Sequence, residues 1–207
     1  IPTPKEIRSE GTVTLPRTNY VLDNRISGFD PAEMLRDGLS CLEIFPAKSG
    51  DKGFVIRFEK PGSLSKRLPN HPEVYRFTVD KNGITVIADT VSGAWRGAGR
   101  VVSLLCGPDV KVTNEHLTLP VLTLTDYPDI ATRAMKLEFP KTSGKKLEDY
   151  GKHAIRNVAM FGFNLIFFDF RGELESKTHP EIVQPPVLPQ KDMRELIRYA
   201  RACGLEV

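Results

Sequence analysis

The sequence has little cysteine, and its few histidines are widely spaced. Only three cysteines occur among 207 residues, at Cys41, Cys106 and Cys203, so they form neither a Cys-x-x-Cys pair nor a disulfide framework. Each follows or joins an apolar run, which predicts small buried thiols. The four histidines make no His-x-x-x-His or His-Glu-x-x-His pattern, which argues against a zinc enzyme. We expect no metal and no other cofactor.

Long hydrophobic segments and a strong charge imbalance are also missing. No run approaches the ~18 consecutive apolar residues that cross a bilayer, and the N-terminus lacks the apolar core of a signal peptide. Either the protein is cytosolic or a signal peptide has been removed. We expect the second, with a periplasmic or extracellular location. The net charge is +3, and the densest basic cluster, Lys141 to Lys146, holds only three lysines. It predicts a solvated helix start rather than a nucleic-acid surface.

The pattern of predicted strands and helices changes near residue 125 and divides the chain into two parts. Residues 1–125 are predicted to form an α+β domain, an antiparallel sheet with two helices on one face. Runs rich in β-branched and aromatic residues predict its strands, namely Thr12–Leu15, Phe54–Phe58, Val74–Val79 and Ile84–Ala88. The last two are joined across Asn82-Gly83, the strongest short hairpin signal.

Two helices are predicted in this first part. Asp30-Pro31-Ala32-Glu33 resembles a capping box, with an acidic N-cap and proline at the first helical position. A second helix is predicted from Ala94 to Leu105, ended by Gly107-Pro108. Trp95 at its start suits either a sugar-stacking platform or a core anchor, and its place between glycines favours the core.

A nucleotide-binding loop is the first alternative for this region. Gly93, Gly97 and Gly99 follow a predicted strand. A Gly-x-Gly-x-x-Gly loop that starts at Gly97 requires a third glycine where Val102 stands, and no Gly-Lys-Ser/Thr follows. We therefore set this function aside.

Residues 126–207 show a β-α-β-α-β order with parallel-sheet character. Strands are predicted at Thr132 to Phe139, at Leu165-Ile166-Phe167-Phe168 and, opening a third, at Leu205-Glu206-Val207. The continuous apolar run of the second is typical of a parallel strand buried on both faces. A helix with Leu147, Tyr150, Ala154, Val158 and Phe161 on its apolar face ends at Gly162. Another, with Met193, Leu196, Ile197 and Ala200, ends at Gly204.

The second part is short for the fold that it suggests. A complete (β/α)8 barrel needs about 250 residues, and residues 126–207 hold only the first strands of such a barrel. We therefore expect this part to be a truncated barrel start and the chain to be a fragment.

Four segments, in order, form a recognisable pattern. They are Ile1-Pro2-x-Pro4-Lys5 with Gly11; Tyr75 to Ala88 with Gly93-Ala94-Trp95-Arg96-Gly97; Leu119-Pro120 through Asp126-Tyr127-Pro128 and Arg133; and Gln190 to Ala200 with Gly204-Leu205-Glu206-Val207. Together they resemble the family 20 glycoside hydrolases, the β-N-acetylhexosaminidases. The resemblance implies an α+β accessory domain packed on a (β/α)8 barrel that removes terminal N-acetylhexosamine from a glycan.

The resemblance also implies the chemistry. A glutamate acts as general acid/base, and a neighbouring aspartate orients the substrate's own acetamido oxygen, which attacks the anomeric carbon. In the family this Asp-Glu pair follows the fourth barrel strand. We therefore expect no catalytic residue within this chain, and we expect the fragment alone to be inactive.

The resemblance maps a sugar-contacting arginine onto Arg133, whose guanidinium fork suits two vicinal hydroxyls. Barrel active sites lie at the carboxyl ends of the strands, whereas Arg133 opens its strand. A structural arginine that pairs with a carboxylate at the barrel floor is therefore the alternative.

Other site positions depart from the family. Glu138 stands where the family has aspartate, and Phe167, Asp169 and Gly172 replace a His-x-His pair and a following acidic residue. Asp169 ends its strand, where it is placed either to line a sugar pocket or to pair with Arg171. Glu138, Asp169 and Arg171 form the candidate pocket.

These departures keep two other functions open. One is another carbohydrate-active enzyme with a similar front domain, of α-glucuronidase type. The other is a catalytically inactive glycan-binding protein. In each case the expected partner is a glycan or oligosaccharide, and the first domain is expected to have a structural role.

Overall fold

The computed structural model describes residues 4–48, 53–62, 67–139, 145–185 and 187–207. The chain divides into two compact units, Ile1–Asp129 and Ile130–Val207, a few residues beyond the boundary expected from the sequence. Ile1-Pro2 of the first motif and Lys141 of the basic cluster lie outside the described residues. None of the described helices is both long enough and apolar enough to cross a membrane.

The first unit contains, among its described residues, a seven-stranded mixed sheet in the order β1-β7-β4-β5-β3-β2, with β6 beside β7. The strands are β1 Glu6–Pro16, β2 Tyr20–Asn24, β3 Phe54–Glu59, β4 Tyr75–Asp80, β5 Gly83–Ile87, β6 Lys111–Val112 and β7 His116–Asp126. The predicted β4–β5 hairpin across Asn82-Gly83 is confirmed.

The sheet is mostly antiparallel, as expected, but it is parallel on one side, which the expectation did not include. Strand β3 runs parallel to both β2 and β5. The physical reason is the helix α1, Ala32–Leu39, which lies between β2 and β3 in the chain. A helical crossover returns the chain to the same end of the sheet, so the strands that it joins run parallel.

Both predicted helices of the first unit are present, with different starts. Asp30 is not the N-cap of α1. Pro31 stands there, and the Asp30 carboxylate accepts from the Ala32 N–H at 3.1 Å. Helix α2 spans Val91–Leu105 and begins three residues before Ala94, because the Thr90 hydroxyl caps it by accepting from the Gly93 N–H at 2.9 Å.

The glycines of α2 bring this helix close to the sheet. A Cβ at Gly93 would lie 2.3 Å from the Val74 carbonyl oxygen, and one at Gly97 would lie 2.2 Å from Val86 Cγ1. Trp95 is buried, with its ring edge-on to Phe29 at a centroid distance of 4.7 Å. These glycines therefore serve helix–sheet packing, and the interpretation of Trp95 as a core anchor is confirmed.

The second unit follows the predicted order. It contains β8 Ala134–Glu138, α3 Lys145–Met160, β9 Leu165–Asp169 and α4 Gln190–Ala202. Strands β8 and β9 are parallel. The end of the chain continues this pattern, since the Ile166 N–H donates to the Glu206 carbonyl and the Glu206 N–H to the Asn164 carbonyl, both at 2.9 Å.

Two burial predictions for this unit are wrong. Phe167 is 55% exposed although its neighbour Ile166 is buried, because successive side chains of a strand point to opposite faces and one of the two faces of β9 is left uncovered by the described residues of the second unit. Tyr150 and Phe161 are exposed as well. The buried face of α3 instead consists of Leu147, Gly151, Ile155, Val158 and Ala159.

The ends of the helices behave as their glycines predict. Gly162, after α3, has φ +86°, and Gly204, after α4, has φ +74°. This left-handed conformation is open to glycine and ends a helix at no steric cost. The chain therefore returns to β9 and to the final paired segment at the predicted points.

Candidate functional site

The carboxyl ends of β8 and β9 meet at one edge of the second unit. The two strands are in register, with Ala134 opposite Leu165 and Glu138 opposite Asp169. Alternate residues share a face, so Lys136 and Glu138 lie on the same face as Phe167 and Asp169. This is the uncovered face, and its charged residues stand at the carboxyl end. We call Lys136, Glu138, Asp169 and Arg171 the strand-edge cluster.

Two cations hold the two carboxylates of this cluster. Lys136 Nζ lies 2.8 Å from Glu138 Oε1 and donates to Asp169 Oδ2 at 3.2 Å. The Arg171 guanidinium pairs with Glu138 Oε2, and the Arg171 N–H donates to Asp169 Oδ1 at 3.3 Å. The predicted candidate pocket residues are thus adjacent, and the pairing of Asp169 with Arg171 runs through the arginine backbone.

The charges of the cluster are mutually stabilised. Hydrogen bonds from Lys136, and then from Arg171, lower the pKa of the Glu138 carboxyl below its usual value. Hydrogen bonds to Glu138 and Asp169 raise the pKa of Lys136. A general acid needs a pKa near the working pH, so the lowered pKa of Glu138 suits an ionised acceptor of hydrogen bonds rather than a proton donor.

A cleft of about 410 Å³ opens in the segment that follows β9. Its volume falls within the usual range of ligand sites, roughly 300–1,000 Å³. Its lining combines the apolar residues Phe170, Gly172, Leu174 and Ile182 with the polar residues Glu175, Ser176, Lys177, Thr178 and Gln190. At one wall, the Phe170 ring stacks on Phe139 at a centroid distance of 5.7 Å and an interplanar angle of 3°. Both rings also contact the ring of Phe168, which alternation places on the face of β9 opposite to Asp169. The residues that line the cleft include no member of the strand-edge cluster.

Hydrogen bonds within the segment between β9 and α4 stabilise the wall of the cleft. Gln190, at the start of α4, donates from its backbone N–H to the Glu175 carboxylate at 3.0 Å and from its side-chain amide to the Glu175 carbonyl at 3.1 Å. Leu174 and Leu188 form a parallel bridge across the same loop. The segment between β9 and α4 is therefore an ordered wall of the cleft in the part of the chain that the structure describes.

Arg133 lies at the other end of these strands. It precedes β8, and its Nε donates to the Gly162 carbonyl at 2.7 Å while Nη1 donates to the carbonyls of Ile130 and Ala131. The structure therefore does not bring Arg133 to the strand-edge cluster. This geometry favours the structural alternative, with main-chain carbonyls as acceptors, and sugar contact by Arg133 stays a prediction.

Sequence reasoning missed Lys136 and the stack of Phe139 on Phe170. Lys136 stands two residues before Glu138, and the alternation of a strand places both on one face. That spacing was the available signal. Phe139 and Phe170 each follow the end of a strand, a position that periodicity does not distinguish from the core. Among the described residues, no group of three or more histidine, cysteine, aspartate or glutamate side chains is arranged to hold a metal ion.

Comparisons with known proteins locate this fold. No protein-family model matches the chain, and no curated protein matches it significantly. Among solved structures, it is similar to a GH20 exo-β-N-acetylglucosaminidase from Vibrio harveyi in complex with N-acetylglucosamine, with a TM-score of 0.72 and 16% identity over 99% of this chain. It is also similar to β-hexosaminidase from Streptomyces plicatus in complex with GlcNAc, with a TM-score of 0.70 and 20% identity over 99% of this chain.

A third similar structure is the β-N-acetylhexosaminidase from Bacteroides fragilis, with a TM-score of 0.62 and 20% identity over 99% of this chain. The chain spans only 34%, 44% and 43% of the lengths of these three proteins, respectively. The resemblance to this family is confirmed at the level of the fold, over nearly the whole chain and less than half of each similar protein.

Proposed function

We propose that this chain is the front part of a glycoside hydrolase that removes terminal N-acetylhexosamine from a glycan. The first unit has the role of an accessory domain, and the second begins a (β/α)8 barrel. The observation that carries the proposal is the pair of carboxylates, Glu138 and Asp169, at the carboxyl ends of adjacent parallel strands. That is the edge where barrel enzymes bind their substrates. The similarity in fold to N-acetylhexosaminidases supports it.

The strand-edge cluster supplies substrate binding in this proposal. Ionised Glu138 and Asp169 accept hydrogen bonds from hydroxyls of the terminal sugar, and such charge-assisted bonds are shorter and stronger than neutral ones. Lys136 and Arg171 hold both carboxylates in place.

The bond-breaking step belongs to residues outside these 207. An oxocarbenium-like transition state needs a proton on the leaving oxygen and negative charge near the anomeric carbon. We propose that a downstream Asp-Glu pair provides both, with the substrate acetamido oxygen as the nucleophile. The lowered pKa of Glu138 is consistent with this division, because it leaves Glu138 unsuited to donate the proton. An exported, periplasmic or extracellular location is part of the same proposal.

The test is an assay of the full-length protein that contains this chain. Aryl N-acetylglucosaminide and aryl glucuronide are the two substrates. We expect turnover of the first alone. We also expect Glu138→Gln to lower kcat/KM by roughly 10- to 100-fold, the cost of about 1.5–3 kcal/mol for one hydrogen bond to a charged group.

The matched control is Glu115→Gln, which changes an exposed glutamate of the first unit and should leave kcat/KM unchanged. Turnover of the glucuronide alone would assign the protein to the α-glucuronidase type. Binding of a glycan without turnover of either substrate would assign it to the glycan-binding class. Both results contradict the proposal.

A further inference from the structure

Two cysteines that are remote in sequence lie in contact. Cys41 and Cys106 are 65 positions apart, yet their Sγ atoms are separated by 3.6 Å. The expectation of three buried thiols is wrong for this pair, because both residues are exposed, whereas it is confirmed for Cys203. The mistake has a physical reason, since both cysteines follow helices whose apolar faces end just before them.

The packing of α1 on α2 produces this contact. Cys41 lies in the 3-10 turn Ser40–Leu42 directly after α1, and Cys106 ends α2. The two helices approach closely at Gly38, where a Cβ would lie only 2.7 Å from Val102 Cγ1. Each cysteine follows one of these two contact residues by about one helical turn. A glycine in the interface therefore brings the sulfur atoms together.

The same backbone group orients both thiols. The carbonyl oxygen of Gly38 lies 3.7 Å from Cys41 Sγ and 3.6 Å from Cys106 Sγ. The two side chains thus turn toward one point at the ends of their helices. A disulfide has sulfur atoms about 2.05 Å apart, so bond formation requires them to move closer by about 1.5 Å, a distance that small side-chain rotations cover.

We propose that Cys41 and Cys106 form a reversible disulfide that ties the end of α1 to the end of α2. The oxidant is a low-molecular-weight disulfide such as oxidised glutathione. One thiolate attacks it, forms a mixed disulfide and releases one reduced glutathione. The other thiolate then attacks the protein sulfur of that mixed disulfide and releases the second. In balance, two protein thiols and one glutathione disulfide give one protein disulfide and two glutathione thiols.

The bond has a consequence for the first unit. It closes a long loop that contains β3, β4, β5 and α2, and such a cross-link restricts the unfolded chain. We expect oxidation to raise the Tm of the first unit by roughly 5–15 °C. The bond would join α1, which connects β2 to β3, to α2, which packs on β4 and β5.

The experiment uses the 207-residue chain and reads thiols alone, so its result does not depend on the proposed hydrolase function. The chain is equilibrated in an equimolar buffer of oxidised and reduced glutathione, quenched with acid, and then alkylated with excess iodoacetamide in denaturant at about pH 8, where thiols are partly ionised. We expect Cys203 to be alkylated while Cys41 and Cys106 are protected. Before alkylation we also expect an intact mass about 2 Da below that of the reduced chain, and we expect a Tm that falls when reductant is added.

The controls separate this pair from other thiol chemistry. Cys203→Ser should retain both the protection and the reductant-sensitive Tm, whereas Cys41→Ser and Cys106→Ser should lose both. Three results overturn the proposal: alkylation of all three cysteines after equilibration, a glutathione adduct that persists at Cys41 or Cys106, or a disulfide-linked dimer on a non-reducing gel. If a serine variant fails to fold, the mass and alkylation pattern of the unmodified chain still decide.

Discussion

The Tyr20 hydroxyl is a buried polar group that lowers the folding stability of the first unit. It is among the largest side chains that are fully buried, and its hydroxyl has no hydrogen-bond partner in the part of the chain that the structure describes. Burial raises the pKa of its phenol from 10.0 to about 12. The ring supplies apolar packing, while the hydroxyl loses its hydration on folding.

Tyr20→Phe is therefore expected to stabilise the first unit by about 1 kcal/mol, because it removes a buried donor that is not satisfied. The pKa adds a pH dependence. A group whose folded pKa is raised contributes stability that is present below its unfolded pKa and is lost as pH rises through the folded value. The unmodified chain should lose stability relative to the phenylalanine variant between pH 10 and about 12.

Urea unfolding at neutral pH and at a series of alkaline pH values measures both effects. Tyr150→Phe is the control, because Tyr150 is exposed and its substitution should leave the free energy of unfolding nearly unchanged. A destabilised Tyr20→Phe variant would show that the Tyr20 hydroxyl has a favourable partner, and an alkaline profile equal to that of the unmodified chain would show that burial does not raise its pKa.

Site residues could be predicted where their place along the sequence, at the end of a strand, decides their position in the fold. Glu138 and Asp169 end their strands, so their shared edge follows from parallel pairing. The ion pair of Lys136 with Asp169 was not predicted, because it depends on the register of β8 against β9, whereas the pair with Glu138 was missed although both residues lie on one face of β8. The contact of Cys41 with Cys106 was missed for a similar reason. It depends on how two helices cross at Gly38, and no local pattern contains that information.

At the scale of elements, α2 depends on a glycine at its first turn. Gly93→Ala would place a Cβ 2.3 Å from the Val74 carbonyl oxygen, and this acceptor is backbone, which cannot rotate away. We expect the substitution to destabilise the first unit by about 2 kcal/mol, since over-packing of a close contact outweighs the gain in helix propensity. Thermal and urea unfolding measure the change.

Ser92→Ala is the matched control for Gly93→Ala, because Ser92 is the exposed neighbour in the same helical turn. It should change the free energy of unfolding by no more than about 0.5 kcal/mol. If Gly93→Ala proves as stable as this control, the close approach of α2 to β4 at Val74 does not constrain the first unit.

Secondary-structure elements that are marked by turn or capping residues in the sequence were predicted well. Strands that are determined by pairing with other strands were not. The β4–β5 hairpin and the ends of α3 and α4 follow from Asn82-Gly83, Gly162 and Gly204. The strand β7 was missed as a strand, since its central Pro120 breaks the usual pattern and its pairing with β1 and β4 supplies the missing order. The parallel pairing of β2 with β3 was missed because it depends on the crossover through α1.

At the scale of the whole molecule, the chain is two units with different roles in one proposed enzyme. The order of motifs along the chain was sufficient to predict the fold resemblance at an identity of only 16–20% to the similar structures. The reason is physical, because glycines, capping residues and strand ends sit where the fold needs special backbone geometry. In the proposed function, substrate choice depends instead on a few side chains such as Glu138 and Asp169, which depart from the family pattern.

The most direct test of the central claim is a crystal structure of the full-length protein with bound N-acetylglucosamine. The proposal predicts the sugar at the carboxyl ends of β8 and β9, with a hydroxyl oxygen at hydrogen-bond distance, about 3 Å, from a carboxylate oxygen of Glu138 or Asp169. A sugar bound with neither carboxylate in contact would contradict it.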